Sequence, residues 1–215
     1  MEFKRKIFIT GGSSGLSSEI IKESKNRNIE IHYHQRINNN TNPICGDIRE
    51  EEVQDNILKF IIDNDINVFI NNAAIYSNKS LDQITISDID DIISINLTSK
   101  IILTKKILDH FKRKGYGMIY NINSLAGIKG SKNESLYSAT KHGLKGFTDS
   151  LKEEFKNFKN IRITNVTLGA FKSKITKDRD NYEDLAEPNE VANCIIDHII
   201  QDYKTINNDL IITRK

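Results

Sequence analysis

Seven short apolar runs punctuate the chain, at residues 6–10, 29–34, 43–45, 68–71, 118–122, 161–166 and 210–212. Between most of them the apolar residues recur every three or four positions: Leu16, Ile20 and Ile21; Ile57, Phe60 and Ile61; Ile92, Ile93, Ile101, Leu108 and Phe111; Leu144, Phe147, Leu151 and Phe155; Val191, Ile195 and Ile199. Short strands alternating with amphipathic helices predict an α/β fold, a doubly wound parallel sheet of about seven strands with helices on both faces. Isoleucine is abundant throughout, thirty-seven of 215 residues, so its presence alone argues little for a strand. The alternation of blocks carries the inference.

Residues 1–215 read as one domain, since no Pro-, Gly- or Ser-rich linker and no repeat divides them. Asn38-Asn39-Asn40-Thr41-Asn42 is a polar loop where such a sheet often has a helix. Lys and Arg number 31 against 29 Asp and Glu, a net charge of +2, which supplies no broad field for polyanions, so no nucleic-acid partner is expected. The opening residues Met1 to Lys6 lack the pattern of a signal peptide and no run reaches membrane-spanning length, so a cytoplasmic protein with no membrane partner is expected. Cys45 and Cys194 stand far apart without a CxxC or a His cluster, which predicts buried free thiols and no metal site.

Thr10-Gly11-Gly12-Ser13-Ser14-Gly15-Leu16-Ser17 follows the first apolar run and opens a helical stripe. Small residues there let the backbone approach a pyrophosphate, and the helix N-terminus offers it free N–H groups and a positive dipole end. Further on, Tyr137 and Lys141 lie one helical turn apart in Tyr-Ser-Ala-Thr-Lys. An ammonium beside a phenol favours the phenolate, which predicts a Tyr137 pKa drawn down from about 10 toward that of a working acid or base. Taken alone, each feature has a plain alternative: a tight turn, or a half-buried ring beside a solvated charge.

In this order and spacing, the motifs resemble those of the short-chain dehydrogenase/reductase family, of the classical type. Thr10, Gly11 and Gly15 match its glycine turn, with Ser17 where the third glycine usually stands. Asn71 to Ala74 matches its Asn-Asn-Ala-Gly stretch, Ile95-Asn96-Leu97 its asparagine segment, and Ser124 lies thirteen residues before Tyr137. The resemblance implies a single Rossmann-type domain with the catalytic tetrad Asn96, Ser124, Tyr137 and Lys141. By the same resemblance Tyr137 exchanges a proton with the substrate oxygen that Ser124 holds. Lys141 lowers the Tyr137 pKa and bonds the nicotinamide ribose, and Asn96 helps to position a relay water.

Cofactor choice turns on the end of the second run, Ile31-His32-Tyr33-His34-Gln35-Arg36. It carries no carboxylate for an adenosine 2′-hydroxyl, whereas Arg36 suits a 2′-phosphate, so NADP(H) is expected over NAD(H). His32 and His34 share a strand face without a third ligand and read as ordinary residues. Asp47-Ile48 resembles the family's adenine-contacting pair, and Asp47 is also a candidate helix N-cap. The other cofactor contacts implied are Ser13, Ser14, Leu16, Asn72, Ala73, Gly169, Phe171 and Ser173, together with Gly11, Gly15, Tyr137 and Lys141.

The family's Pro-Gly-x-(Ile/Val)-x-Thr reads Leu168-Gly169-Ala170-Phe171-Lys172-Ser173, and only fourteen residues separate Ser173 from Pro188. That spacing suggests a short lid over an open or polar substrate site, with Tyr76, Lys129 and the 172–179 run hinting at polar recognition. The expected function is oxidoreduction of a small-molecule carbonyl or alcohol. The alternatives are a catalytically relaxed nucleotide-binding sensor or scaffold and a nucleotide-sugar epimerase or dehydratase. Family resemblance also implies a homodimer or homotetramer through the helices near residues 89–111 and 136–155.

Overall fold

The computed structural model describes residues 4–13, 15–37, 44–201 and 209–214. Six strands form one sheet: β1 (Lys6–Ile9), β2 (Glu30–Tyr33), β3 (Val68–Asn71), β4 (Gly117–Ser124), β5 (Ile161–Leu168) and β6 (Asp209–Ile212). Their order is β2-β1-β3-β4-β5-β6, with every pair parallel. The chain steps outward from β1 to β2 and returns to the other side of β1 as β3. This reversal opens a crevice at the strand C-termini, where ligands of such sheets bind.

Among the described residues the sheet has six strands, in keeping with the expected doubly wound sheet of about seven. The expected run at 43–45 is reduced to one bridge, Gln35 to Cys45, with Gln35 N–H donating to Ile44 O and Gly46 N–H to Gln35 O. It pairs beyond the end of β2, which leaves too little overlap for a ladder. Pro43 and the Asn38–Asn42 loop lie outside the described residues.

The helices are α1 (Leu16–Asn26), α2 (Glu51–Asp63), α3 (Ile86–Ile93), α4 (Ser99–Lys114), α5 (Ser135–Phe155) and α6 (Pro188–Ile200). Local chemistry marks several ends. Thr85 and Asp88 form a capping box at α3, Pro188 starts α6, and Gly115 closes α4 in the left-handed region. One stripe expected to be continuous, from Ile92 to Phe111, is interrupted by a π-helical turn at Ser94–Thr98, which holds Asn96.

Side chains alternate across the sheet and build two cores. Ile7, Ile9, Val68, Ile70, Tyr120 and Val166 meet α1 and α6 on one face. Phe8, Phe69, Ile119 and Ile163 meet Ile57, Ile61, Leu103, Ile107 and Phe111 on the other. Both cysteines are free, but neither is buried: Cys45 is half-buried at the bridge and Cys194 is exposed. Cys194 occupies the outward face of α6, between the inward Val191 and Ile195. No helix among the described residues is long and apolar enough to cross a membrane.

Candidate active site

The glycine turn closes β1 over the crevice. Gly11 has φ +72°, and a Cβ there would stand 3.0 Å from Ala73 Cα, so both conformation and the close approach of two chain segments require glycine. Thr10 ties these segments together, its hydroxyl accepting from Asn72 N–H at 2.9 Å and Ala73 N–H at 3.0 Å, while Asn72 Nδ2 donates to Thr10 O at 3.0 Å. Ser17, in place of the third glycine, is buried and donates from Oγ to Gly11 O at 2.6 Å. It braces the turn from below. Gly15, at φ +67°, caps α1 ahead of the buried Leu16, and a Cβ there would meet nothing within 4 Å. Ser13 is exposed on the same turn, and Ser14 lies outside the described residues.

Arg36 and Asp47 flank the crevice beyond β2. Arg36 is exposed and its charge helps to lower the Asp47 carboxyl, although the main cause is the bond from Arg49. Asp47 accepts from Arg49 N–H at 2.9 Å, and the α2 N-cap is Glu50, so Asp47 holds a turn rather than the helix. Ile48 is buried under it. Both histidines are occupied: His32 Nε2 bonds Glu30 at 3.1 Å and His34 Nε2 bonds Gly46 O at 3.0 Å.

Across the crevice, β4 and α5 bring Ser124, Tyr137 and Lys141 together. Lys141 is buried and its Nζ donates to Ile122 O at 3.1 Å. That Nζ also lies 5.4 Å from the centroid of the Tyr137 ring. Ser124 Oγ accepts from Ala126 N–H at 3.1 Å, capping the turn after β4, on the same side of the crevice as Tyr137. Asn96 is fully buried in its π turn. Its side-chain amide clasps the backbone of Ile75 at both groups, accepting from N–H and donating to C=O at 2.8 Å each.

The expected lowering of the Tyr137 pKa is reversed. Burial pushes it up to about 12, the Ser124 hydroxyl pulls against this, and the Glu134 carboxylate adds to the rise. Burial also draws Lys141 down to about 8. At neutral pH the site presents a protonated phenol beside a largely charged amine, the arrangement of a proton donor.

On the sheet's far side, Gly169 N–H donates to Ile212 O at 2.8 Å, and Leu168 pairs with Ile212 as the last residue of β5. Strand pairing thus fixes the position where the family usually has proline. Phe171 bridges to Ala186, joining the two ends of the segment between Ser173 and Pro188. Ser173 begins a turn, its N–H donating to Thr176 Oγ1 at 3.0 Å.

Three further residues stand at the site, of which the sequence points only to Tyr76. Tyr76, only a hint of polar recognition there, packs edge-on to Tyr137 with centroids 5.1 Å apart and donates to Glu134 Oε1 at 2.6 Å. Glu134 sits one turn before Tyr137, a spacing that was readable. Lys100 is 1% exposed, with Nζ donating to Asn71 O at 2.5 Å. It falls on the buried stripe Lys100, Leu103, Thr104, Ile107 of α4, so the signal was a charge at an apolar position.

A crevice at the topological reversal, a glycine turn entering a helix, and a Ser–Tyr–Lys cluster at the strand ends define a dinucleotide-dependent oxidoreductase of the Rossmann type. Residues 5–184 match the family described as short chain dehydrogenase, and the chain belongs to that family, whose members are NAD(P)-dependent enzymes. It is 31% identical over 180 residues to the 3-oxoacyl-[acyl-carrier-protein] reductase FabG of Rickettsia prowazekii, covering 78% of this chain and 73% of that one. It is 35% identical over 113 residues to the acetoacetyl-CoA reductase of Cupriavidus necator, covering 53% and 46% respectively. Among solved structures, ElxO with NADP bound superposes with a TM-score of 0.84 at 23% identity, covering 97% of this chain and 96% of that one.

Proposed function

We propose that this chain is an NADP(H)-dependent carbonyl reductase in which Tyr137 is the general acid. The observation that carries the reading is the convergence of Ser124, Tyr137 and the buried Lys141 at the end of β4 and the start of α5, with Lys141 Nζ 5.4 Å from the Tyr137 ring centroid. A carbonyl oxygen reached by both hydroxyls gains negative charge as it is reduced, and two aligned donors stabilise that charge. Ser124 holds the oxygen, Tyr137 gives up its proton, and Lys141 places a positive charge behind the phenolate that forms. Asn96 acts through the backbone of residue 75, fixing the segment that ends in Tyr76.

The residues on the other side of the crevice fit a dinucleotide. Gly15 leaves open space at the N-terminus of α1, where a pyrophosphate is stabilised. Gly11, Asn72 and Ala73 would line its path, Asp47 and Ile48 the adenine end, and Gly169, Phe171 and Ser173 the nicotinamide end. When bound, the nicotinamide supplies the hydride. Arg36 carries a charge suited to the 2′-phosphate, in agreement with the NADP of the ElxO structure. The half-buried Ile101, Ile102 and Phe147 on α4 and α5 support assembly as a homodimer or homotetramer.

Calorimetric titration with NADPH and with NADH tests the cofactor assignment, and acetoacetyl-CoA is the first carbonyl to offer, given the relatives' names. Tight binding with NADPH preferred is expected. Arg36→Ala should weaken NADPH by about 1.5–3 kcal/mol, the range for hydrogen bonds to charged groups, and leave NADH nearly unchanged. Equal losses for both cofactors would remove Arg36 from the phosphate site. No binding of either at millimolar concentration would favour a scaffold.

A further inference from the structure

We propose that Arg49 positions the Asp47 carboxylate so that one acceptor site is left for the amino group of an adenine, which makes Arg49 a specificity-determining residue at the nucleotide end of the crevice. The inference rests on Asp47 and Ile48 being the adenine end, and its test separates the two claims. Arg49 follows Asp47 by two residues in the turn before α2 and grips it with three N–H groups. Its backbone N–H donates to Asp47 Oδ1 at 2.9 Å, its Nε is shared between Oδ1 and Oδ2 at 3.0 Å each, and its Nη2 donates to Oδ2 at 2.6 Å. The remaining nitrogen, Nη1, reaches Asp91 Oδ1 on α3 at 2.5 Å. The guanidinium is therefore held from both sides, between the turn and α3.

An ionised carboxylate offers about four acceptor sites, two on each oxygen. The N–H groups of Arg49 take three of them, and one remains for a donor. Adenine carries a donating amino group at C6, whereas hypoxanthine carries a carbonyl oxygen there, so a single fixed acceptor welcomes the first base and opposes the second. The bond from Arg49 is also the main reason the Asp47 carboxyl lies below the ordinary carboxylate range, which keeps it an acceptor at neutral pH. The backbone of the turn does not depend on this clamp. Glu50 N–H donates to Asp47 O at 3.0 Å and Gly46 N–H to Gln35 O at 3.1 Å, while the buried Gln54 donates from Nε2 to Ile48 O at 2.9 Å. Arg49 is exposed and Asp47 half-buried, a setting in which an ion pair adds little to stability. Loss of the guanidinium thus frees the Asp47 side chain and leaves the turn in place.

Calorimetric titration with NADPH and with its hypoxanthine analogue, deamino-NADPH, reads the effect. The wild type should bind NADPH about tenfold more tightly than the analogue, the scale of one hydrogen bond gained against one acceptor opposed. Arg49→Met should weaken NADPH about three- to tenfold and leave the analogue nearly unchanged, so that the preference collapses. Arg49→Lys keeps the charge without the planar fork and should behave like Arg49→Met, and Asp91→Asn should move the ratio the same way by less. In an Asp47→Ala background Arg49→Met should change the ratio no further, because Arg49 acts through Asp47. An equal loss for both nucleotides in Arg49→Met overturns the proposal and makes Arg49 a phosphate contact, and a further fall of the ratio in the double variant overturns it too. A wild type that binds both nucleotides equally removes Asp47 from the adenine end and the inference with it. A wild type that discriminates, beside an Arg49→Met variant that discriminates as well, sinks only the role of Arg49.

Discussion

The two faces of the sheet are built from different chemistry. Against α1 and α6 the strands present a mostly aliphatic surface, in which Ile7, Ile70 and Val166 meet Ile20, Ile195 and Ile199, interrupted by Tyr120, whose hydroxyl bonds His198 Nδ1 at 2.9 Å. Against α4 and α5 the same strands begin apolar, with Phe69, Ile119 and Ile163, and end polar. Asn71, Asn121 and Asn165 lie in register across β3, β4 and β5, and all three are buried. Asn71 Nδ2 donates to Lys100 O at 3.1 Å, Asn121 Nδ2 to Thr148 Oγ1 at 3.0 Å, and Asn123 Nδ2 to Lys141 O at 3.2 Å. The row therefore ties the sheet to the two helices that follow Asn96 and carry Tyr137. Aliphatic contacts hold a helix down but tolerate small slides, whereas a buried amide that loses its partner bears its full desolvation cost. One face stabilises the fold, and the other fixes the register of the reacting groups.

If this division holds, substitutions on the two faces separate stability from turnover. Tyr137→Phe should lower turnover at least about a hundredfold, the lower end for general acid catalysis, with NADPH affinity and melting temperature nearly unchanged. Steady-state kinetics beside calorimetry checks it, and unchanged turnover would take Tyr137 out of the mechanism. Ile195→Ala, at a fully buried position on the aliphatic face, should cost about 2–5 kcal/mol in denaturant unfolding. Turnover per folded molecule should stay the same; a large drop there would erase the contrast between the faces.

Asn121→Ala should cost less, about 1–3 kcal/mol, the penalty for partners left unpaired. It should nevertheless reduce turnover severalfold, because α5 loses an anchor at Thr148. Lys100→Met sharpens the comparison through pH. Burial first, and then the charge of Lys141, hold the Lys100 pKa well below 10.5, so in the pH range between the folded and unfolded values the unfolded chain binds more protons than the folded one. Stability of the wild type is thus penalised at pH values below 10.5 and rises as pH approaches it from below. The variant should melt higher at neutral pH, with an advantage that shrinks as pH increases. A pH-independent difference would show that Lys100 is charged in the fold.

Period and punctuation were enough to place the strands, the helices and the glycine turn, since alternating apolar blocks bury themselves in few ways and Gly11 serves a conformation that side chains disfavour. Spacing along one helix likewise joined Tyr137 to Lys141, and the motif order added Ser124 and Asn96. The shortened third run, the exposure of Cys194 and the direction of the Tyr137 pKa were decided only by tertiary structure. Pairing length depends on how far two strands overlap, and the exposure of a small thiol on which helix face it shares. A pKa depends on burial, which here outweighs the charge that local sequence supplies. The same holds for Tyr76 beside Glu134 and for Lys100 behind Lys141: residues 58 and 41 positions apart become neighbours only when β3, α4 and α5 converge.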